Sequence, residues 1–124
     1  MGNPVLTKNY TAEAEVLKHR IVQFGSEDGG VIYAAAATDG SIGVSNELDA
    51  ATGERADIIR TGMPDVEYGG TIARGDLLTS DSVGRAIAAT ASAGSNVRIV
   101  GVAEVSGVVD DIGTMTLGCS MMQG

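Results

Sequence analysis

The stretch TMTLGCSM, residues 114–121, decides the fold class. Met115, Leu117, Cys119 and Met121 fall on one side of an extended chain, and Thr114, Thr116, Gly118 and Ser120 on the other. That period of two is the mark of a strand with one buried face. Just upstream, Val97 to Val105 alternates in the same way: Val97, Ile99, Gly101, Ala103 and Val105 share one face, and Arg98, Val100, Val102 and Glu104 the other. Because its second face is half apolar, this strand belongs near the middle of a closed sheet.

Outward from these two runs the chain breaks into shorter apolar pieces closed by turn residues. Residues 15–24 read as a strand ended by GSEDGG (25–30), and residues 31–37 as another ended by Asp39-Gly40. That dipeptide signals a hairpin toward Ile42 and Val44. Residues 45–56 read as a loop, and strands resume over 56–61, 65–68 and 71–73. Residues 85–90 read as a strand in preference to a helix over 85–93, which their alanines would also allow. Glycine supplies 18 of 124 residues, about twice the usual ~7%, and it falls mostly between the runs. Eight or nine short strands with such punctuation predict an all-β domain, a small barrel or sandwich. Residues 1–14, interrupted by Pro4 and carrying Val5, Leu6 and Tyr10 as bulky apolar groups, read as an extended N-terminal arm. Residues 15–124 read as a single β domain, and no fixed-period repeat is legible.

Composition narrows the functions. Eight Lys and Arg against 16 Asp and Glu give a net charge of −8 and a pI near 4.4. Phosphate backbones and anionic membrane surfaces are read by basic patches, so neither nucleic acid nor membrane is an expected partner. The longest apolar run, residues 31–37, is far shorter than the roughly 20 residues of a membrane-spanning helix. Residues 1–7 lack the basic and apolar regions of a secretory signal. Aromatics are 3% of the chain and alanine fills much of the apolar fraction. A core of that kind removes little area from water, which makes neighbouring subunits an expected source of stability.

No catalytic constellation is legible. His19 is the single histidine and Cys119 the single cysteine, which removes a two-histidine metal site, an internal disulfide and a thiolate cluster. His19 reads as a structural residue of a strand, and Cys119 as a small core hydrophobe. Asp76 and Asp81 flank Leu-Leu-Thr-Ser without the Asp-x-Asp-x-Asp-Gly order of a calcium loop. Neither a phosphate loop nor a dinucleotide fingerprint occurs. The expectation is a non-enzyme without cofactor or metal.

The segment GGTIARGDLLTSDSVGRA (69–86), followed by IVGVAE (99–104), resembles the capsid cement, or head decoration, proteins of tailed bacteriophages. The family's Gly-Asp-x-Leu-x-x-Asp-x-x-Gly run matches Gly75, Asp76, Leu78, Asp81 and Gly84, preceded by a glycine turn at Gly69 and Gly70. Its Gly-x-Ala strand matches Gly101 and Ala103. The chain departs from the family pattern at its C-terminus, where Met121 and Met122 close the last strand. The resemblance implies a decoration-protein fold, a β-tulip among the candidates. It implies a virion protein on the outer capsid surface, made in the host cytoplasm, that binds the major capsid protein and cements its subunits in the expanded head. It also implies self-assembly, with a trimer favoured and a dimer the alternative. Pro4, Val5, Leu6 and Tyr10 are then the expected capsid-binding arm, and Gly69, Gly70, Gly75, Asp76, Asp81 and Gly84 structural turns. A tail or baseplate module, or a small β-barrel ligand-binding domain or enzyme, is the competing reading.

Overall fold

The computed structural model describes residues 3–90 and 96–123, with side chains over 6–90 and 96–118. Among these residues are ten strands and no helix. Strands β1 (Asn3–Ala12), β2 (Ile21–Phe24), β3 (Gly30–Tyr33), β4 (Ser41–Ser45) and β5 (Arg55–Met63) close into a barrel of order β1-β3-β2-β4-β5. Strands β6 (Asp65–Glu67), β7 (Leu77–Ser80), β8 (Ala86–Ala88), β9 (Asn96–Ala103) and β10 (Ile112–Gln123) form a second sheet, of order β6-β10-β9-β7-β8. The fold is all-β as expected, and of the two architectures left open, barrel or sandwich, the first five strands form a closed barrel beside a second sheet.

The two sheets are the same arrangement used twice. β1 pairs antiparallel with β5 as β6 does with β10, and β2 pairs with β3 and β4 as β7 does with β8 and β9. β4 pairs with β5 as β9 does with β10. Even the barrel's closing contact recurs. Ala12 pairs in parallel with Val31 in the first half, and Tyr68 with Ala86 in the second. Corresponding positions lie 56 residues apart early in each half (Val16 and Ile72, His19 and Gly75) and 57 later (Ala50 and Gly107, Gly53 and Asp110).

Each half is locked by two crossing turns. In the first, Val16 and Ala50 exchange both backbone hydrogen bonds at 2.8 Å; in the second, Ile72 and Gly107 do so at 2.9 Å. Three residues beyond each of these four positions the chain takes a positive φ: His19 at 57°, Gly53 at 88°, Gly75 at 94° and Asp110 at 73°. The duplication is not legible as a repeat because these turns constrain the backbone and leave the side chains free. Val, Ala, Ile and Gly all occupy the bridging position.

Several local expectations are corrected. The N-terminal segment is extended, but it is no free arm: β1 pairs with β5 from Asn3 to Thr11, with irregularities around Leu6. Pro4 sits beside one of these shifts, where a residue without an N–H is tolerated. The predicted strand 15–24 begins only at Ile21, because residues 13–20 form the first crossing turn, and His19 lies in that turn and not in a strand. The expected hairpin at Asp39-Gly40 does not form. β3 and β4 flank β2 on opposite sides, and the Asp39 carboxylate instead accepts bonds from the Ala35 N–H and the Gln23 side chain. Residues 71–73 contribute only the bridge at Ile72. The strand reading of residues 85–90 holds at β8, and β9 runs between β7 and β10, central as its two apolar faces predicted but in the second sheet and not in the closed barrel.

Burial follows the duplication only in part. Tyr10, Ala12, Val16, Val22, Val31, Ala50, Ala56 and Ile58 fill the first barrel. The other core joins Ile21, Ala34 and Val44 of the first half to Val66, Tyr68, Ile72, Leu78, Val100 and Met115 of the second. Shared apolar contacts thus make the two halves one packed body.

Candidate functional site

The predicted turn residues hold the fold from within. Gly75 and Gly84 take positive φ, and a Cβ on Gly84 would stand 2.9 Å from the Ile21 carbonyl oxygen. That carbonyl belongs to the other half, so the turn marks a close approach between halves. Gly69 lies against the Asp81 carboxylate, while Gly70 has ordinary space. Asp76 accepts a bond from the Ala73 N–H at 2.9 Å. Asp81 accepts from the Val83 and Arg85 N–H groups at 2.9 Å and from Arg85 Nε at 3.1 Å. Both aspartates therefore spend their oxygens on their own turns.

Between the halves lies a charged seam. Glu67 stands 3.4 Å from Arg20 and 3.9 Å from Arg85, and Arg85 also reaches Asp81 at 3.1 Å and Asp110 at 3.2 Å. Arg20 donates further to the Val83 carbonyl at 3.0 Å. A hollow of about 140 Å³ opens beside it between Glu15, Leu17, Tyr33 and Val83. Among the described residues no group of three His, Cys, Asp or Glu is placed to hold a metal ion.

Among the described residues two titratable groups are shifted, Glu13 by hydrogen bonding and Tyr68 by its surroundings. The Glu13 carboxyl is held below the usual carboxylate range by the N–H and hydroxyl of Ser26 and the N–H of Glu27, so it ties the first crossing turn to the β2–β3 loop. Tyr68 is pushed above the usual phenol range, first by burial and then by the charge of Asp111. Its hydroxyl donates to the Val105 carbonyl at 2.7 Å, and a Cβ on Gly113 would lie 2.3 Å from its ring. Gly113 is small because the Tyr68 ring occupies its side of the strand.

The expected binding arm is only partly available. Tyr10 is buried in the barrel, and its hydroxyl accepts from Arg60 Nη1 at 2.5 Å. The strand's periodicity turns it inward, so it is no anchor for a partner. Leu6 is 51% exposed and remains available. The side chains of Pro4 and Val5, and those of Cys119, Met121 and Met122, lie outside the described residues.

Reasoning from sequence, which places a turn at Asp110-Asp111, missed the apolar side chains exposed around it between β9 and β10. Val105, Val108, Val109 and Ile112 are all 43–54% exposed there. The signal was present: in Gly-Val-Val-Asp-Asp (107–111) two bulky apolar residues stand side by side between turn formers, where a sharply turning chain has no core to receive them both. A patch of this kind marks a contact surface more often than a fold requirement.

Two sheets of short strands, turns closed by their own aspartates and an exposed apolar loop are the parts of a scaffold that presents surfaces. The chain matches the phage cement protein family over residues 1–114 and belongs to that family. It is a structural protein of the phage capsid. No curated protein matches it by sequence. In fold it is similar to the N base of the head fiber protein gp8.5 of bacteriophage phi29, whose crystal structure superposes with a TM-score of 0.70 at 19% identity, over 96% of this chain and 98% of that one.

Proposed function

We propose that this protein binds the outer surface of the expanded phage head and bridges neighbouring major capsid subunits, resisting the outward pressure of packaged DNA. The family match over residues 1–114 carries this reading, and the exposed loop between β9 and β10 supports it. Repetition over the lattice lets modest contacts add up, since many must open together to release the shell. An acidic exterior keeps such a coat from collecting nucleic acid. The protein acts as an oligomer, with a trimer at three-fold positions favoured over a dimer at two-fold positions.

Purified expanded heads lacking the protein, incubated with it and sedimented, are expected to carry it at a fixed ratio per capsid subunit and to lose their DNA at a higher temperature than bare heads. Binding to tails alone would overturn the reading in favour of a tail module. Binding to heads with unchanged release temperature would remove the cementing role.

A further inference from the structure

The four crossing turns are an internal comparison, because each presents the same backbone with different side chains. One and two residues beyond the bridging position stand Leu17-Lys18, Ala51-Thr52, Ala73-Arg74 and Val108-Val109. The second of these is polar in three turns and valine only in the fourth, where it is 50% exposed. The fold accepts Lys, Thr or Arg there, so it does not call for Val109. The same contrast recurs five residues past the bridge, where β5 starts with Arg55 and β10 with Ile112, both exposed. The turn is closed by the Val108 N–H donating to the Asp111 carboxylate at 2.9 Å and the Asp111 N–H donating to the Val108 carbonyl at 3.1 Å. Val108 and Val109 are thus held out on a tight, tied loop that loses little entropy on docking.

From this comparison we infer that the loop 105–112 is the surface by which the protein docks on the capsid shell, its valines and Ile112 entering an apolar recess of a shell subunit whose rim carries Lys or Arg. The inference rests on the capsid-binding reading above. The rim chemistry follows from charge: exposed Glu104, Asp110 and Asp111 surround the patch, and the Asp110 side chain is 79% exposed. A second copy of this chain, itself at −8, would bring like charges together in a two-fold contact, whereas a basic rim would pair with them.

The test compares head binding by the wild-type protein, V108A/V109T, I112R and the control Leu48→Ser, with melting temperature and sedimentation velocity of each free protein. V108A/V109T and I112R install residues that the turn at 51–55 already carries in the same backbone, so both are expected to fold. Their affinity for heads is expected to fall about tenfold or more, the equivalent of losing a few buried methylenes. Leu48→Ser, on the equivalent turn of the first half, is expected to bind like wild type. Wild-type binding is expected to weaken as salt rises. Undiminished binding by both loop variants overturns the inference, as does a loop variant that changes the oligomeric state of the free protein, which would assign the loop to contacts between copies. Binding indifferent to salt overturns the basic rim. Failure of the wild type itself to bind heads overturns the capsid reading, and the inference with it.

Discussion

Tyr68 shows how much a single residue carries in a chain so poor in aromatics. Its ring is fully buried, flanked by Gly107 and Gly113, and its hydroxyl satisfies the Val105 carbonyl at the base of the exposed loop. Tyr68→Phe keeps the ring and strands that carbonyl, which is expected to cost about 1–2 kcal/mol in urea unfolding. The pH dependence has a definite sign. Burial and Asp111 favour the neutral phenol in the folded protein, so the contribution of Tyr68 is fully present below its ordinary value near 10 and is lost as pH rises through the higher folded value. Melting temperature is therefore expected to fall more steeply above about pH 10 in the wild type than in Tyr68→Phe. Equal slopes would remove Tyr68 as the cause. The importance of Tyr68 was not legible in the sequence, where it ends a short apolar piece; its partners Gly107 and Gly113 are about forty residues away.

At the scale of the element, the crossing turn is the unit of construction, and its demand is a backbone angle. Gly53 and Gly75 meet the positive φ without strain, but His19 takes φ 57° with a side chain attached. Histidine there is costlier than glycine in the folded state, though glycine also loosens the unfolded chain. Replacing His19 by Gly is expected to leave stability unchanged or raise it by up to about 1 kcal/mol, whereas His19→Val, β-branched at positive φ, is expected to lower it by about 1–2 kcal/mol. Thermal unfolding of the two variants checks both, and a tolerated valine would show that the turn does not constrain this residue. The long strands β9 and β10 were legible because alternation is a local property that survives any choice of partner. The hairpin predicted at Asp39-Gly40 failed for the opposite reason, since the dipeptide reports a tight turn and not which strands pair beyond it. β1 read as an arm because Pro4 and the polar residues around it describe an edge, and a barrel's joining strand has the same composition.

For the whole molecule the question is whether two similar halves behave as one. Ile21, Ala34 and Val44 lie in the same core as Tyr68, Leu78 and Met115, and the Arg20–Glu67–Arg85 seam crosses the same boundary. Unfolding is expected to be a single transition, with tyrosine fluorescence, which reports Tyr10 in the first barrel and Tyr68 in the shared core, coinciding with far-ultraviolet circular dichroism. Glu67→Gln leaves a mostly buried Arg20 short of its counter-charge. Because the pair is partly solvated, the expected cost is about 1–2 kcal/mol, with the single transition retained. Two separated transitions in either protein would show the halves to be independent domains.

The sequence by itself determined that the chain is all-β, acidic and made of short strands, and its glycine and aspartate order from Gly69 to Gly84 pointed to the family to which the chain belongs. These are properties of neighbouring residues, and neighbours are all that alternation and turn chemistry report. Only the tertiary structure decided that β1 closes a barrel, that the second half repeats the pairings of the first, and that Val108 and Val109 face outward. The pairings of β1 that close the barrel span from 19 residues (Thr11 with Gly30) to 60 (Asn3 with Met63), and burial and hydrogen bonding choose them. The crossing turns accept Val16, Ala50, Ile72 and Gly107 alike, so the backbone rule they share leaves almost no trace in the residues that obey it.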